Sequence, residues 1–485
     1  MQINQTSARQ LGAAISAGEV SSKEVTEYFI QRIEKYNPQI NAVIANRFDA
    51  ARQDAVEADA LRAAGTVLGP LHGVPMTIKD AFEVEGLTCD VGVSEYANKL
   101  STRNAEVTKR LNAAGAIILG KTNVPLMCGD WQSFNEIHGT SNNPYHLQHT
   151  PGGSSGGAAA ALAAGLTPLE YGSDIGGSIR VPAHYCGLFG HKPTHGIIPT
   201  RGHVPPAHGT RASGDLNVVG PLARTMEDVE LAFDLTVGGL APATQAVQVA
   251  IQGPRKSTPE GLRIGLWVDD PYCPVDNEMA ANIEAAARTL EKQGASVVTT
   301  KPNFDLAHHT EAFALLLNSV MGTYFPPQVI AAMQKTADAA DPNDKSLPIL
   351  QARGIVMSHA SWLHWNEVRH RMAQKWQALF EDVDVLMCPV TPTPAMPHTQ
   401  EPNFHSRTIK VNDAQRPYME NVIWPGVATL CGLPATIAPL KRHSSGLPMG
   451  VQIIGPAYED KTPMAVARML EQNGHHFVAP EGYAD

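Results

Sequence analysis

Two serine-bearing glycine clusters lie in one stretch of this chain, Thr150 to Lys192. They are Gly152-Gly153-Ser154-Ser155-Gly156-Gly157 and Gly172-Ser173-Asp174-Ile175-Gly176-Gly177-Ser178. Glycines beside serines let the backbone approach a ligand and turn N–H groups toward it. Acyl transfer needs that combination: a hydroxyl attacks a carbonyl, and N–H donors hold the charge that develops on its oxygen. The two clusters raise two questions, which serine attacks and which group takes its proton.

Other short patterns compete with these clusters. Gly115-Ala-Ile-Ile-Leu-Gly120-Lys121-Thr122 matches the phosphate-loop spacing. That loop must sit between a strand and a helix, whereas here the variable positions are apolar and read as the strand itself. Asn123-Val-Pro125 follows where a helix should begin. Gly152-Gly-Ser154-Ser-Gly156 matches the nucleophile elbow of α/β-hydrolases, but the elbow needs a strand before it, and Asn143 to Pro151 reads as loop. With 19 histidines, composition leaves a Ser-His-Asp triad open. His184, His191 and His195 follow the second cluster and read as structural. No H-E-x-x-H or Cys/His ligand spacing occurs, so no metal site and no cofactor are expected.

The elements that must position these residues alternate between helix and strand. Ser21-x-x-Glu24 is a capping box, and Val25, Phe29, Ile33 and Tyr36 follow at helical spacing, so a helix is predicted to end near Asn37-Pro38. Strands are predicted near 42–48, 71–79, 116–119, 262–268, 296–300, 384–389, 433–439 and 449–454. Helices are predicted over 49–64, 108–114, the alanine-rich stretch after Ser155, 224–236, 277–293, 362–380 and 462–473. The alternation implies an α/β fold: a central mixed sheet covered by helices on both sides. Residues 239–260 read as a surface crossover. No repeat or linker divides the chain, so residues 1–485 are expected to form a single domain.

Composition excludes several classes. A net charge of −10 with no basic block argues against nucleic acid as the main partner. No run of about 18 apolar residues suggests a membrane span. The first residues lack the basic and apolar regions of a signal peptide. The six cysteines are scattered and read as reduced thiols. A cytoplasmic setting is the simplest expectation.

The motifs together resemble the amidase signature family. They are Gly73-Val-Pro-x-x-x-Lys79-Asp80, Gly-Gly-Ser154-Ser-Gly-Gly, and Gly-Ser-Asp-x-Gly-Gly-Ser178-Ile-Arg-x-Pro-Ala, followed by Gly190-His-Lys-Pro-Thr194 and Gly432-Leu-Pro. The resemblance spans essentially the whole chain, with a signature core at about residues 70–225 and a variable pocket region at about 300–380. It implies the amidase signature fold and a Ser-cisSer-Lys triad. Ser178 would be the nucleophile, Ser154 the middle serine and Lys79 the base. The N–H groups of Ile175, Gly176, Gly177 and Ser178 would form the oxyanion hole. Asp174 and Arg180 would pair to brace the loop. Lys79 must be neutral to act, so burial must lower its pKa from about 10.4.

For the substrate, the family leaves alternatives. In its tRNA-amidating glutamine hydrolases an arginine and an aspartate hold glutamine. Arg369 matches the arginine, but Val422, beside Asn421, stands where the aspartate would be. Met127, Cys128, Trp131 and Phe134 are expected near the substrate, Cys128 because its counterpart lines the site in fatty-amide-hydrolysing relatives. Trp362, Trp365 or Trp424 could add to the pocket, with core packing as the alternative reading. The expected reaction is hydrolysis of a small, largely apolar carboxylic amide, an anilide or aryl amide included, through an acyl-enzyme. Ester or carbamate cleavage, a glutamine-hydrolysing component of a tRNA amidotransferase, and a non-catalytic binding protein are the alternatives. The resemblance also allows a homodimer, although no residue marks an interface.

Overall fold

A computed structural model describes residues 2–483. Its central sheet has eight strands, in the order Ser296–Thr299, Arg263–Leu266, Val385–Cys388, Gly450–Ile454, Ala435–Pro439, Phe189–Lys192, Val218–Ala223 and Leu169–Asp174. The first three run parallel and every later pairing is antiparallel, so the sheet is mixed. Helices flank it: Met226–Thr236 and Lys461–Gln472 pack on its strands, as do Arg180–Tyr185 and Gly156–Ala163. Both faces are therefore dry. Along Val218–Ala223, Val219 and Ala223 join the largest apolar cluster, while Leu222 joins a second. Among the described residues, no helix is long and apolar enough to cross a membrane.

A smaller sheet carries the lysine. Ile117–Thr122 lies in its centre, antiparallel to Val43–Asn46 and parallel to Pro75–Lys79, with Lys79 opposite Thr122. Every residue of Ile117–Thr122 and of Pro75–Lys79 is buried, as an apolar run between turns predicts. Residues 117–122 of the phosphate-loop match thus form a strand, which runs three residues beyond Leu119. Its lysine, Lys121, whose side chain is fully buried, donates to Asp80 Oδ1 at 2.7 Å and to the Thr88 carbonyl at 3.1 Å.

The first long helix corrects one boundary. Ser21 and Glu24 form the expected capping box, but the helix runs through Pro38 to Ile40. Asn41 ends it in the left-handed region at φ 52°, and Asn37 Oδ1 accepts from the Ala42 and Val43 N–H groups. The stop signal is the Asn41 cap, since one proline in a final turn removes a single donor without ending the coil.

The alanine-rich helix Gly156–Ala163 is buried on all sides, which its small side chains permit. It meets the smaller sheet at Gly157, where an added Cβ would lie 2.3 Å from the Asn123 nitrogen and 2.7 Å from its carbonyl oxygen. Backbone cannot yield as a flexible side chain does. Gly157→Ala is expected to cost about 1–3 kcal/mol of stability or more, by overpacking. Denaturant unfolding would measure it, and an unchanged midpoint would refute the contact.

Candidate active site

Lys79 ends its strand with its amine enclosed by protein. Nζ donates to Ser154 Oγ at 2.7 Å, and lies 3.0 Å from Ser173 Oγ and 3.5 Å from the Ser173 carbonyl. No carboxylate lies within ion-pairing distance among the described residues. Burial lowers its pKa, against the smaller opposing influence of Cys128, Asp174 and Glu170. Lys121 is equally buried, and burial pulls it down too. There the neighbouring groups, Asp80 foremost, together outweigh burial and raise the pKa. The two lysines differ in their partners, and so in the direction in which their pKa moves.

Ser154 follows a cis peptide bond from Gly153. Glycine is required at 153, where a Cβ would lie 2.4 Å from the Asp130 carbonyl oxygen and 2.7 Å from the Gln132 nitrogen. Ser133, which no motif marks, donates to the Gly152 carbonyl at 3.1 Å and accepts from the Gly156 N–H at 3.0 Å, pinning both flanks of Ser154. Ser155 N–H donates to the Ser178 carbonyl at 3.1 Å and so ties the two glycine clusters together. Ser154, Ser173, Ser178 and Cys128 open into one hollow.

The turn that carries Ser178 is built around Asp174. Its carboxylate pairs with Arg180 through two contacts, Nη2 to Oδ1 at 2.7 Å and Nε to Oδ2 at 2.9 Å, both side chains fully buried. Burial alone would raise the Asp174 pKa, but Arg180 and the turn's N–H groups bring it down to about 2. Arg180 also donates to the Pro425 carbonyl, Gln452 Oε1 and Thr429 Oγ1 at 2.6–2.7 Å. On the other side, Trp131 Nε1 donates to the Gly176 carbonyl at 2.9 Å.

One expected oxyanion donor is already taken. The Gly177 N–H, aimed inward by a φ of 105°, donates to Asp174 Oδ1 at 2.9 Å. The carboxylate caps this turn much as an acid caps a helix. The N–H groups of Ile175, Gly176 and Ser178 have no acceptor among the described residues. Three of the four expected donors therefore remain available.

A family model described as Amidase matches residues 24–463. The chain belongs to the amidase family, hydrolases that act on C–N amide bonds. An indoleacetamide hydrolase of Bradyrhizobium diazoefficiens is 32% identical over 96% of this chain and 86% of its own length. A glutamyl-tRNA(Gln) amidotransferase subunit of Halorhodospira halophila is also 32% identical, over 99% of this chain and all of its own. Among solved structures, the native peptide amidase of Stenotrophomonas maltophilia superposes with a TM-score of 0.76 at 26% identity, covering 98% of both chains.

Around Ser178 this amidase has two adjoining hollows. Cys128, Ile175 and Met321 line both. One continues past Trp131, Ala314, Leu317, Asn318, Met419 and Val422, and the other past Met127, His203, Pro205 and Val320. Met127 and Cys128 both have positive φ, 52° and 56°, a conformation that bends the chain toward the site. The Cys128 thiol is pushed up in pKa by burial, against the pull of Lys79, and is therefore not poised as a thiolate. His203 is brought down to about 3 by burial and by Lys79, so it is uncharged near neutral pH. Asp130 is held by Arg407 and Tyr418.

The other expected pocket residues lie elsewhere. Phe134 sits 5.8 Å from the Arg407 guanidinium and lines neither hollow. Trp424 is fully buried against Trp267 and donates to the Cys273 carbonyl. Trp365 packs on the core, and Trp362 lies against His359 and Arg369. For these three tryptophans, the packing alternative holds. Arg369 donates to Asp215 Oδ1 at 2.7 Å and to Asn366, and Asn421 donates to the Tyr418 carbonyl. Val422 does line the pocket. Leu317, Asn318 and Met321 carry no motif; only their helical spacing on Leu306–Met321 links them. Among the described residues, no group of three or more His, Cys, Asp or Glu could hold a metal ion.

The Asp174–Arg180 pair yields a prediction. Because folding holds the Asp174 pKa at about 2, below the ordinary 3.8, its contribution is complete above the unfolded value. It is lost as pH falls through the folded one. Asp174→Asn strands a buried guanidinium and should cost about 3–5 kcal/mol. It should also flatten the acid limb of stability between roughly pH 4 and 2. Urea unfolding of both proteins across that range measures this, and parallel acid limbs would refute it.

Proposed function

We propose that this chain is a serine amidohydrolase in which Ser178 attacks, Ser154 relays the proton and Lys79 receives it. Ser178 Oγ forms a bond to the amide carbon, and its proton passes to Ser154 Oγ as the proton of Ser154 passes to neutral Lys79 Nζ. The carbonyl π pair moves onto oxygen, which the N–H groups of Ile175, Gly176 and Ser178 receive. Collapse of this intermediate breaks the C–N bond, and the amine leaves with the proton returned along the same path. Water then releases the carboxylate from the acyl-enzyme by the same route. Esters and carbamates present a carbonyl to the same groups. What carries this reading is the 2.7 Å contact between a buried, carboxylate-free lysine and Ser154.

The substrate we propose is a small, uncharged, largely apolar carboxylic amide, aryl amides included. The support is chemical. Each ionisable side chain lining the hollows is either paired inside the protein, as Asp130 and Asp174 are, or held toward its neutral form, as Cys128 and His203 are. A zwitterion such as glutamine would find no unpaired cation or anion among these residues. Arg369 is committed to Asp215, which weighs against glutamine hydrolysis despite the likeness to an amidotransferase component. The indoleacetamide hydrolase relative supports an aryl amide.

Two kinds of measurement test the reading, turnover and its pH dependence. Ser178→Ala should lower kcat by on the order of 10⁴–10⁶-fold with the melting transition retained. In a panel of aliphatic amides, anilides, aryl acetamides and glutamine, an apolar amide should lead, and glutamine turning over fastest would overturn the substrate assignment. The pH profile supplies the second. Lys79 works only when neutral, so kcat/KM should rise with pH through an ionisation below that of an ordinary lysine and fall away on its acid side. A flat acid limb would remove Lys79 from the role of base.

A further inference from the structure

Resting on the apolar-amide reading, we infer that Asn318 is a specificity-determining residue. Its carboxamide oxygen accepts a hydrogen bond from a donor on the substrate's apolar group, an aryl N–H or O–H. Asn318 lies near the end of helix Leu306–Met321, only 8% exposed, and lines the same hollow as Ser178. Its Nδ2 donates to the Ala314 carbonyl at 2.8 Å. A carbonyl can only accept, so this bond fixes which end of the amide is nitrogen and leaves Oδ1 on the other side. Oδ1 has no donor among the described residues, and the side chain that carries it borders the hollow.

The surroundings make that oxygen selective. Leu317, Met321, Met419 and Val422 supply an apolar wall. Three of the other polar side chains there have partners within the protein. Arg407 and Tyr418 hold Asp130, Trp131 Nε1 bonds the Gly176 carbonyl, and Gln351 Oε1 meets His405 Nε2 at 3.0 Å. Gly354 packs against the root of this side chain, where an added Cβ would lie 2.7 Å from Asn318 Cβ. A hydrocarbon ring filling this hollow strips Oδ1 of water and offers nothing in return, whereas a ring bearing N–H or O–H satisfies it. The hollow is thereby matched to an apolar group with one donor.

The test uses the full-length enzyme and three amides of similar bulk: indole-3-acetamide, 1-methylindole-3-acetamide and naphthalene-1-acetamide. The first carries a ring N–H and the others do not. In the wild-type enzyme kcat/KM for indole-3-acetamide should exceed both others by about 10-fold or more, the range for leaving one buried polar group unpaired. Asn318→Leu should bring the three within about threefold of one another, by slowing the indole and sparing the naphthalene substrate. A purely structural role would slow all three alike. Equal wild-type rates for the three, or a preference that survives Asn318→Leu, overturn the inference and leave the apolar-amide reading standing. If none of the three is cleaved while glutamine is, that reading falls and this one with it. Should Asn318→Leu fail to fold, the wild-type comparison alone decides.

Discussion

Lys79 holds a buried amine with hydroxyl and carbonyl oxygens around it and no carboxylate against it among the described residues. Removing a cation from water is expensive, and a group so placed lowers its charge in preference to bearing the cost. The neighbours preserve the imbalance. Glu170, one of the groups that would favour the charged lysine, is itself pushed up to about 8 by burial, so it is largely uncharged at neutral pH. Asp174 is ionised, but Arg180 occupies it. Lys121 shows the alternative on the adjacent strand: equal burial with one carboxylate in contact keeps the charge. The whole site depends on Asp80 facing Lys121 while Lys79 faces hydroxyls.

The turn that carries Ser178 depends on the opposite arrangement, a buried charge pair whose remaining valences are all used. Such pairs are weak sources of net stability, because desolvation offsets attraction, but their loss is costly. Here Arg180 spends its N–H groups on Asp174, Pro425, Thr429 and Gln452. Asp174 spends its oxygens on Arg180 and on the N–H groups of Gly177 and Ile179. Residues far downstream thereby fix the aim of the Ile175, Gly176 and Ser178 donors. Trp131 completes the frame from the side of the Ser154 loop, through the Gly176 carbonyl.

This division explains what can be read in the sequence. Gly153, Gly157 and Gly177 are demanded by backbone approaches or a positive φ, so residue type alone marks them. The spacing of Lys79, Ser154 and Ser178 is visible for the same reason, as is the alternation that builds the sheet. What escapes depends on distant partners. Gly177 reads as a free donor in a linear motif, and only the fold brings Asp174 back onto it. Pro38 reads as a stop because the cap at Asn41 is a three-dimensional fact. Trp424 and Phe134 read as pocket residues because aromatic character says nothing about direction. Trp131 is expected to touch substrate, and its additional hold on Gly176 has no signature within its own segment.

The pocket is least legible for a physical reason. Helix Leu306–Met321 contributes Ala314, Leu317, Asn318 and Met321 to the hollow, yet it is constrained mainly by apolar packing against helices Leu347–Ile355 and His359–Asp382. Many side chains satisfy that demand, so a residue there can change what the hollow accepts without disturbing the turn or the lysine. The chemistry is set by backbone geometry that tolerates little substitution, while selectivity is set by side chains on a helix that tolerates much. An amidase built this way can keep its reaction and exchange its substrate. Its substrate therefore has to be read from the atoms that wall the hollow, among which Asn318 Oδ1 is a polar atom without a partner among the described residues.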